Sequence, residues 1–280
     1  MLEDILFYVV FLSQVILISF YYPRKMLSRM NFVAETYPPS EYPKLYPKPV
    51  EYYEKARRNY KNMNLVILLI GLFLMVVLLG DSSNDDWGGV VVTYFMVQFF
   101  PMMLIEIGSF KYFKLMRKTD SRTTRKAELQ PRRLFDFISP AMIGLAVFIY
   151  FAFIGFIIYV NQFGFSWFGG YWNIVGITAT NLLFAGIIAW NLYGKKRDPY
   201  QANEDRNRQI ELTIKSLVFV SIVATLFITI NIAFNAFDLR HLNQVIMSLY
   251  LQLVAVLSFR ALPRVDNINF EVYKDDPVVT

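Results

Sequence analysis

Of the 28 lysines and arginines in this chain, 27 fall in four hydrophilic stretches separated by long apolar blocks; the exception is Arg240. Seven blocks can be delimited, near Ile5–Tyr22, Asn64–Gly80, Gly88–Phe110, Pro140–Val160, Tyr171–Tyr193, Leu217–Phe237 and Leu242–Phe259. Each is close to the roughly 20 residues an α-helix needs to cross the ~30 Å hydrocarbon core of a bilayer. Because basic loops stay on the cytoplasmic side during insertion, the bias predicts an orientation as well as a class. The expectation is an all-α integral membrane protein: a seven-transmembrane-helix bundle with its N-terminus outside, its C-terminus cytoplasmic and three long basic inner loops.

The loop-by-loop charge supports seven spans. Between the first and second blocks lie nine bases and four acids, between the third and fourth nine and three, and from Tyr193 to Lys215 six and four. Arg260, Arg264 and Lys274 follow the last block. On the other side, Asp81–Gly88 carries three aspartates and no base, and Asn161–Gly170 carries no charge. Trp87, Trp167, Tyr171 and Trp172 fall at the outer span ends, where amphipathic rings prefer the headgroup layer. The chain reads as one polytopic domain over residues 1–280, with a cytoplasmic loop at 23–63 and a cytoplasmic tail at 260–280.

Composition excludes several chemistries. With no cysteine there is no disulfide framework, thiolate metal site or cysteine nucleophile, and a single histidine, His241, leaves little scope for imidazole chemistry. No His-Glu-x-x-His helix, paired intramembrane aspartates or Gly-x-Ser-x-Gly turn suggests an enzyme. A retinal-carrying bundle needs a lysine in its last span, and this one has none. No cofactor or metal is expected, although Asp198, Glu204 and Asp205 are weak candidates for a cation. The acidic start, Met1-Leu2-Glu3-Asp4, is unlike a cleaved signal peptide.

The first inner loop is the most distinctive. Arg24–Val33 places Met26, Leu27, Met30 and Val33 on one helical face, predicting a short helix in the interface plane with Arg24, Lys25 and Arg29 toward anionic lipid. Three Tyr-Pro pairs follow, at Tyr37, Tyr42 and Tyr46. Proline holds its predecessor extended, so this stretch either docks a proline-recognising partner or packs its tyrosines on the protein's own inner face. The second reading is preferred, because tyrosine gains from a buried ring with a wet hydroxyl. From Val50, acid-before-base pairs at i,i+4 (Glu51 with Lys55, Glu54 with Arg58) predict a helix running straight into the second span. In the second loop Arg117, Lys118, Arg132 and Arg133 are candidate contacts for anionic headgroups. Without a glycine-rich cradle or interleaved aromatic strands, nucleic acid is not expected as a partner.

Within the spans, ionisable residues are functional candidates by default, and Glu106, a few residues after Pro101, is the one found. Lys111 or Lys114 would be its partner. Gln98 lies eight residues earlier. Span five offers Asn181, span six the Ser221, Thr225 and Thr229 stripe, and span seven Gln244, Ser248 and Gln252. Gln98, Glu106, Asn181, Thr225 and Gln252 are therefore the candidate lining of a pocket or solute path, the alternative being ordinary interhelical hydrogen bonding. Two functions follow. The first is a non-enzymatic sensing, binding or assembly protein working through its basic cytoplasmic face, with anionic lipid and a cytoplasmic protein as partners. The second is a small-solute transporter or channel. The compact loops suit a bacterial inner membrane.

Overall fold

The computed structural model describes residues 2–80, 87–120, 132–260, 262 and 265–275. The acidic connection at 81–86, the bases Arg122, Arg125 and Lys126, and Arg264 lie outside the described residues. Every regular element described is helical: α1 (Leu2–Ile16), α2 (Tyr22–Thr36), α3 (Val50–Gly80), α4 (Gly88–Thr119), α5 (Pro140–Asn161), α6 (Trp172–Tyr193), α7 (Asn203–Ala236) and α8 (Asn243–Arg260). Among the described residues seven helices are long and apolar enough to cross a membrane, counting α1 and α2 as one.

The continuity of α1 and α2 differs from the separate short helix expected at Arg24–Val33. A π turn over Leu17–Tyr21 joins them, and Ile16, Tyr21 and Tyr22 all keep right-handed helical dihedrals. The cause is local. Pro23 has no N–H to return to Ser19, and the Tyr22 N–H reaches back five residues to the Leu17 carbonyl. One extra residue is thus absorbed without breaking the helix. Amphipathic periodicity identifies a helix but cannot say whether it begins afresh.

α3 does run without interruption from the polar stretch at Val50 to Gly80, at 31 residues well beyond the ~20 that span a bilayer. α5 opens on Ser139, whose hydroxyl accepts the Met142 N–H at 3.4 Å, with Pro140 in the first turn where its missing N–H costs nothing. α7 begins with Glu204 and Asp205 in its first turn, where the exposed N–H groups favour negative charge. Much of what reads as three long loops is therefore helix extending past the apolar blocks.

Two packing units result. Phe11, Val15, Ile67, Val91, Tyr94 and Leu251 belong to one core shared by α1, α3, α4 and α8. α7 packs on α8 and carries α5 and α6, with Ile138, Ile214 and Val218 filling one end and Phe153, Ile157 and Ile232 the other. Phe148, Phe151, Leu182 and Leu183 are exposed along α5 and α6, as expected for helix faces solvated by lipid. Arg240, the outlying base, lies 5.6 Å over the Trp167 ring, which continues a stack through Phe165 to Phe163. This cation–π contact gives a partner to the one base that lies apart from the basic stretches.

Candidate functional site

Two polar constellations stand out, one inside the bundle and one at its basic end. The first centres on Gln14 of α1, fully buried. Its amide donates to Gln98 Oε1 on α4 at 3.1 Å, and its Oε1 accepts from Ser248 of α8 at 2.7 Å. Gln98 Nε2 donates to Ser19 Oγ at 2.9 Å, Ser19 contacts the Tyr94 hydroxyl at 3.1 Å, and Tyr94 donates to the Ile67 carbonyl on α3 at 3.0 Å. At the other side Gln252 Nε2 donates to the Val10 carbonyl at 3.1 Å, and Ser13 donates to Gln252 Oε1 at 3.1 Å. Gly71 permits the approach: a Cβ there would lie 2.0 Å from the Tyr94 oxygen.

The five residues expected to line a path do not converge. Gln98 and Gln252 join the chain just described, on opposite sides of Gln14. Asn181 accepts from Ser221 of α7 at 2.6 Å, and Thr225 is buried but returns its hydroxyl to the Ser221 carbonyl at 2.9 Å. Ser248 and Gln252 turn toward α1 rather than toward α6 and α7. Glu106 is displaced from Gln98 because eight residues advance the helix by about 80° beyond two turns. Its side chain is 59% exposed and pairs with Arg197 at 2.7 Å, not with Lys111 or Lys114. Gln14, Ser13, Ser19 and Tyr94 were not among the expected residues. Polar side chains at Ser13, Gln14 and Ser19 in one span, and at Tyr94 and Gln98 four apart in another, were the available signal.

The second constellation gathers the Tyr-Pro segment, the α6–α7 connection and the tail. Tyr42, Met116, Tyr200, Phe270 and Tyr273 form a buried cluster, flanked by Val33, Tyr37, Leu45 and Tyr112. It thus joins the end of α2, the Tyr-Pro segment, the end of α4, the α6–α7 connection and the tail. Tyr112 donates to the Leu45 carbonyl at 2.6 Å and Tyr46 to the Tyr37 carbonyl at 2.8 Å. Burial raises the Tyr46 pKa above the ordinary phenol value. The tyrosines of the Tyr-Pro segment do pack on the protein itself.

Asp198 anchors the tail. It is buried; Oδ1 accepts the Tyr200 N–H at 2.8 Å and the Gln201 N–H at 3.3 Å, and Oδ2 accepts the Tyr273 hydroxyl at 2.6 Å. Burial, and then the neighbouring Asp198 charge, raise the Tyr273 pKa strongly, so its phenol holds its proton. Phe270 stacks on Tyr37 with ring centres 3.9 Å apart. Asp205 accepts the Asn269 N–H at 2.9 Å, and Arg208 donates to the Asn267 carbonyl at 3.0 Å. Asp198 and Asp205 are thus engaged by donors, and among the described residues no group of carboxylates or imidazoles is arranged to hold a metal. At the surface Glu271 pairs with Lys274 at 2.8 Å, a hydrogen bond that lowers the glutamate pKa and raises that of the lysine.

The basic candidates have separate partners. Arg24 and Lys25 are exposed and lie over the Phe20 and Tyr21 rings at 5.9 and 6.0 Å, while Arg29 is half-buried. Arg117 donates to the Lys196 carbonyl, and Arg132 Nε donates to Asn207 at 3.0 Å. Lys118 and Arg133 are exposed.

By length and composition, the seven apolar helices are those of a multi-pass membrane protein. Neither the protein-family models, nor the curated proteins, nor the solved structures contain a match to this chain.

Proposed function

We propose that this chain is a non-enzymatic multi-pass membrane protein that binds or assembles partners through its basic end, oriented N-terminus outside and C-terminus cytoplasmic. A bacterial inner membrane is the proposed setting. The observation that carries the reading is the cluster around Asp198, Tyr273 and Tyr42. It ties the Tyr-Pro segment, the α6–α7 connection and the tail into one folded platform, where chain-joining alone would need only short turns. The transport alternative has less support, because Gln14, Gln98, Ser248 and Gln252 satisfy one another and Glu106 lies outside their chain. Arg24 and Lys25, beside aromatic rings at the end of the first apolar block, suit contact with anionic headgroups.

Photo-crosslinking amino acids placed singly at exposed positions would test this in native membranes. Adducts with a cytoplasmic protein are expected from Glu41 and Phe135 at the basic end and not from Phe163 or Trp172 at the other. Equal labelling at both ends, or adducts only at Phe163 and Trp172, would reject the basic face as the working surface.

A further inference from the structure

We infer that the tail covers a peptide-binding groove on the platform, whose partner is a peptide carrying a Phe-x-x-Tyr pair in a short helical turn. This rests on the proposed role of the basic end and names what that end binds. The tail is held the way peptide-recognition sites hold peptides: main-chain bonds supply general affinity, and pockets read particular side chains. Arg208 and Asp205, one turn of α7 apart, grip a carbonyl (Asn267) and an N–H (Asn269) of the tail, contacts indifferent to sequence. Two pockets then read side chains three positions apart, on one side of a short helical turn over Phe270–Tyr273. The first stacks Phe270 on Tyr37. The second ends on Asp198 Oδ2, which takes a hydroxyl donor.

The Asp198 pocket supplies selectivity. Its other oxygen is fixed by two backbone N–H groups of the α6–α7 connection, so the acceptor stays in place when the tail leaves. A phenylalanine would fill the ring space and leave a buried carboxylate oxygen without its donor, which is costly. Charge complementarity extends outward, since Lys274 lies over the Tyr42 ring at 5.1 Å. The favoured partner therefore carries a base directly after its tyrosine. Within the tail Glu271 and Lys274 bond to each other at the surface, and Glu271 Oε1 also accepts the Tyr42 hydroxyl at 3.3 Å, a contact that another peptide reproduces, together with the clamp and the two rings, by carrying an acid directly after its phenylalanine.

The chain has no native cysteine, so spin labels can be placed on the full-length protein at Glu41→Cys and Asp275→Cys, both exposed and flanking the Tyr42–Lys274 contact. A single short distance is expected in lipid nanodiscs. Free peptide with the sequence of residues 265–275 should convert it to a broad, longer distribution, half-complete near the millimolar effective concentration of a tethered segment. The same peptide with Tyr273→Phe should need about tenfold more, since a hydrogen bond to a charged acceptor is lost. Introducing Tyr273→Phe into the protein instead should let the native peptide act at about tenfold lower concentration. A short distance that persists at ten times the half-point would overturn the displaceable groove and leave the platform intact. Equal action of a scrambled peptide would overturn the recognition. A broad distribution before any peptide is added would overturn both this inference and the platform beneath it.

Discussion

Gln14→Leu probes the buried chain at its hub. The substitution keeps approximate size, removes the donor to Gln98 Oε1 and the acceptor for Ser248, and so cuts two interhelical hydrogen bonds of 3.1 and 2.7 Å. Inside membrane bundles such bonds average about 0.6 kcal/mol and reach about 1.7, so the loss should be roughly 1–3 kcal/mol. Ser248 keeps a long contact to the Val10 carbonyl at 3.5 Å, whereas Gln98 keeps Ser19 through Nε2 while its Oε1 loses the Gln14 donor, so the loss should fall near the middle of that range. Gln98→Leu should cost a similar amount. The double variant should cost less than the sum, because removing both partners leaves fewer orphaned groups. A coupling of about 0.6–1.7 kcal/mol is expected from reversible unfolding in bicelles. Strict additivity would refute the direct bond between the two amides and reopen Gln98 as a residue facing an aqueous path.

Other perturbations bear on separate contacts. Gly71→Ala should destabilise the bundle by about 1–3 kcal/mol, the usual cost of overpacking, because the new methyl would displace Tyr94 from the Ile67 carbonyl; unchanged thermal unfolding would contradict the close α3–α4 approach. Glu106→Gln breaks an exposed ion pair with Arg197 and should shift stability by less than ~1 kcal/mol; a larger loss would mean the carboxylate is buried. The docked tail should also loosen at high pH. The Tyr273 pKa is raised in the docked state, so its contribution is complete below the free tyrosine value near 10 and declines as pH rises above it. Spin-label distances should lengthen on going from about pH 9 to pH 11, and Tyr273→Phe should remove that step; a distance independent of pH would contradict the buried phenol.

How far the sequence discloses this architecture depends on the range of the signal. Apolar block length is local, and the seven long helices follow from it. The i,i+4 charges at Glu51 and Glu54 are equally local, and α3 begins where they predict. The join between α1 and α2 is not legible: Pro23 in the first turn of a helix is compatible with both a new start and a π turn. The polar stripes reveal which residues share a face but not the face opposite. Ser248 and Gln252 could have met α7 or α1, and only tertiary packing decides. The tail carried the weakest signal. Phe270 and Tyr273 are two aromatics in a short polar stretch, and their receptor is assembled from residues as far apart in sequence as Tyr37, Asp198 and Arg208.

The most direct measurement of that assembly is amide hydrogen exchange over residues 268–274 of the full-length protein in lipid nanodiscs. The N–H groups of Ile268, Asn269, Glu271 and Lys274 each have an acceptor, respectively the Val265 carbonyl, Asp205, Asn269 Oδ1 and the Glu271 carbonyl. Protection is expected at all four, falling about tenfold in Tyr273→Phe as the docked population opens more often. Exchange at the rate of an unstructured peptide, unaffected by that substitution, would contradict the platform on which the functional reading stands.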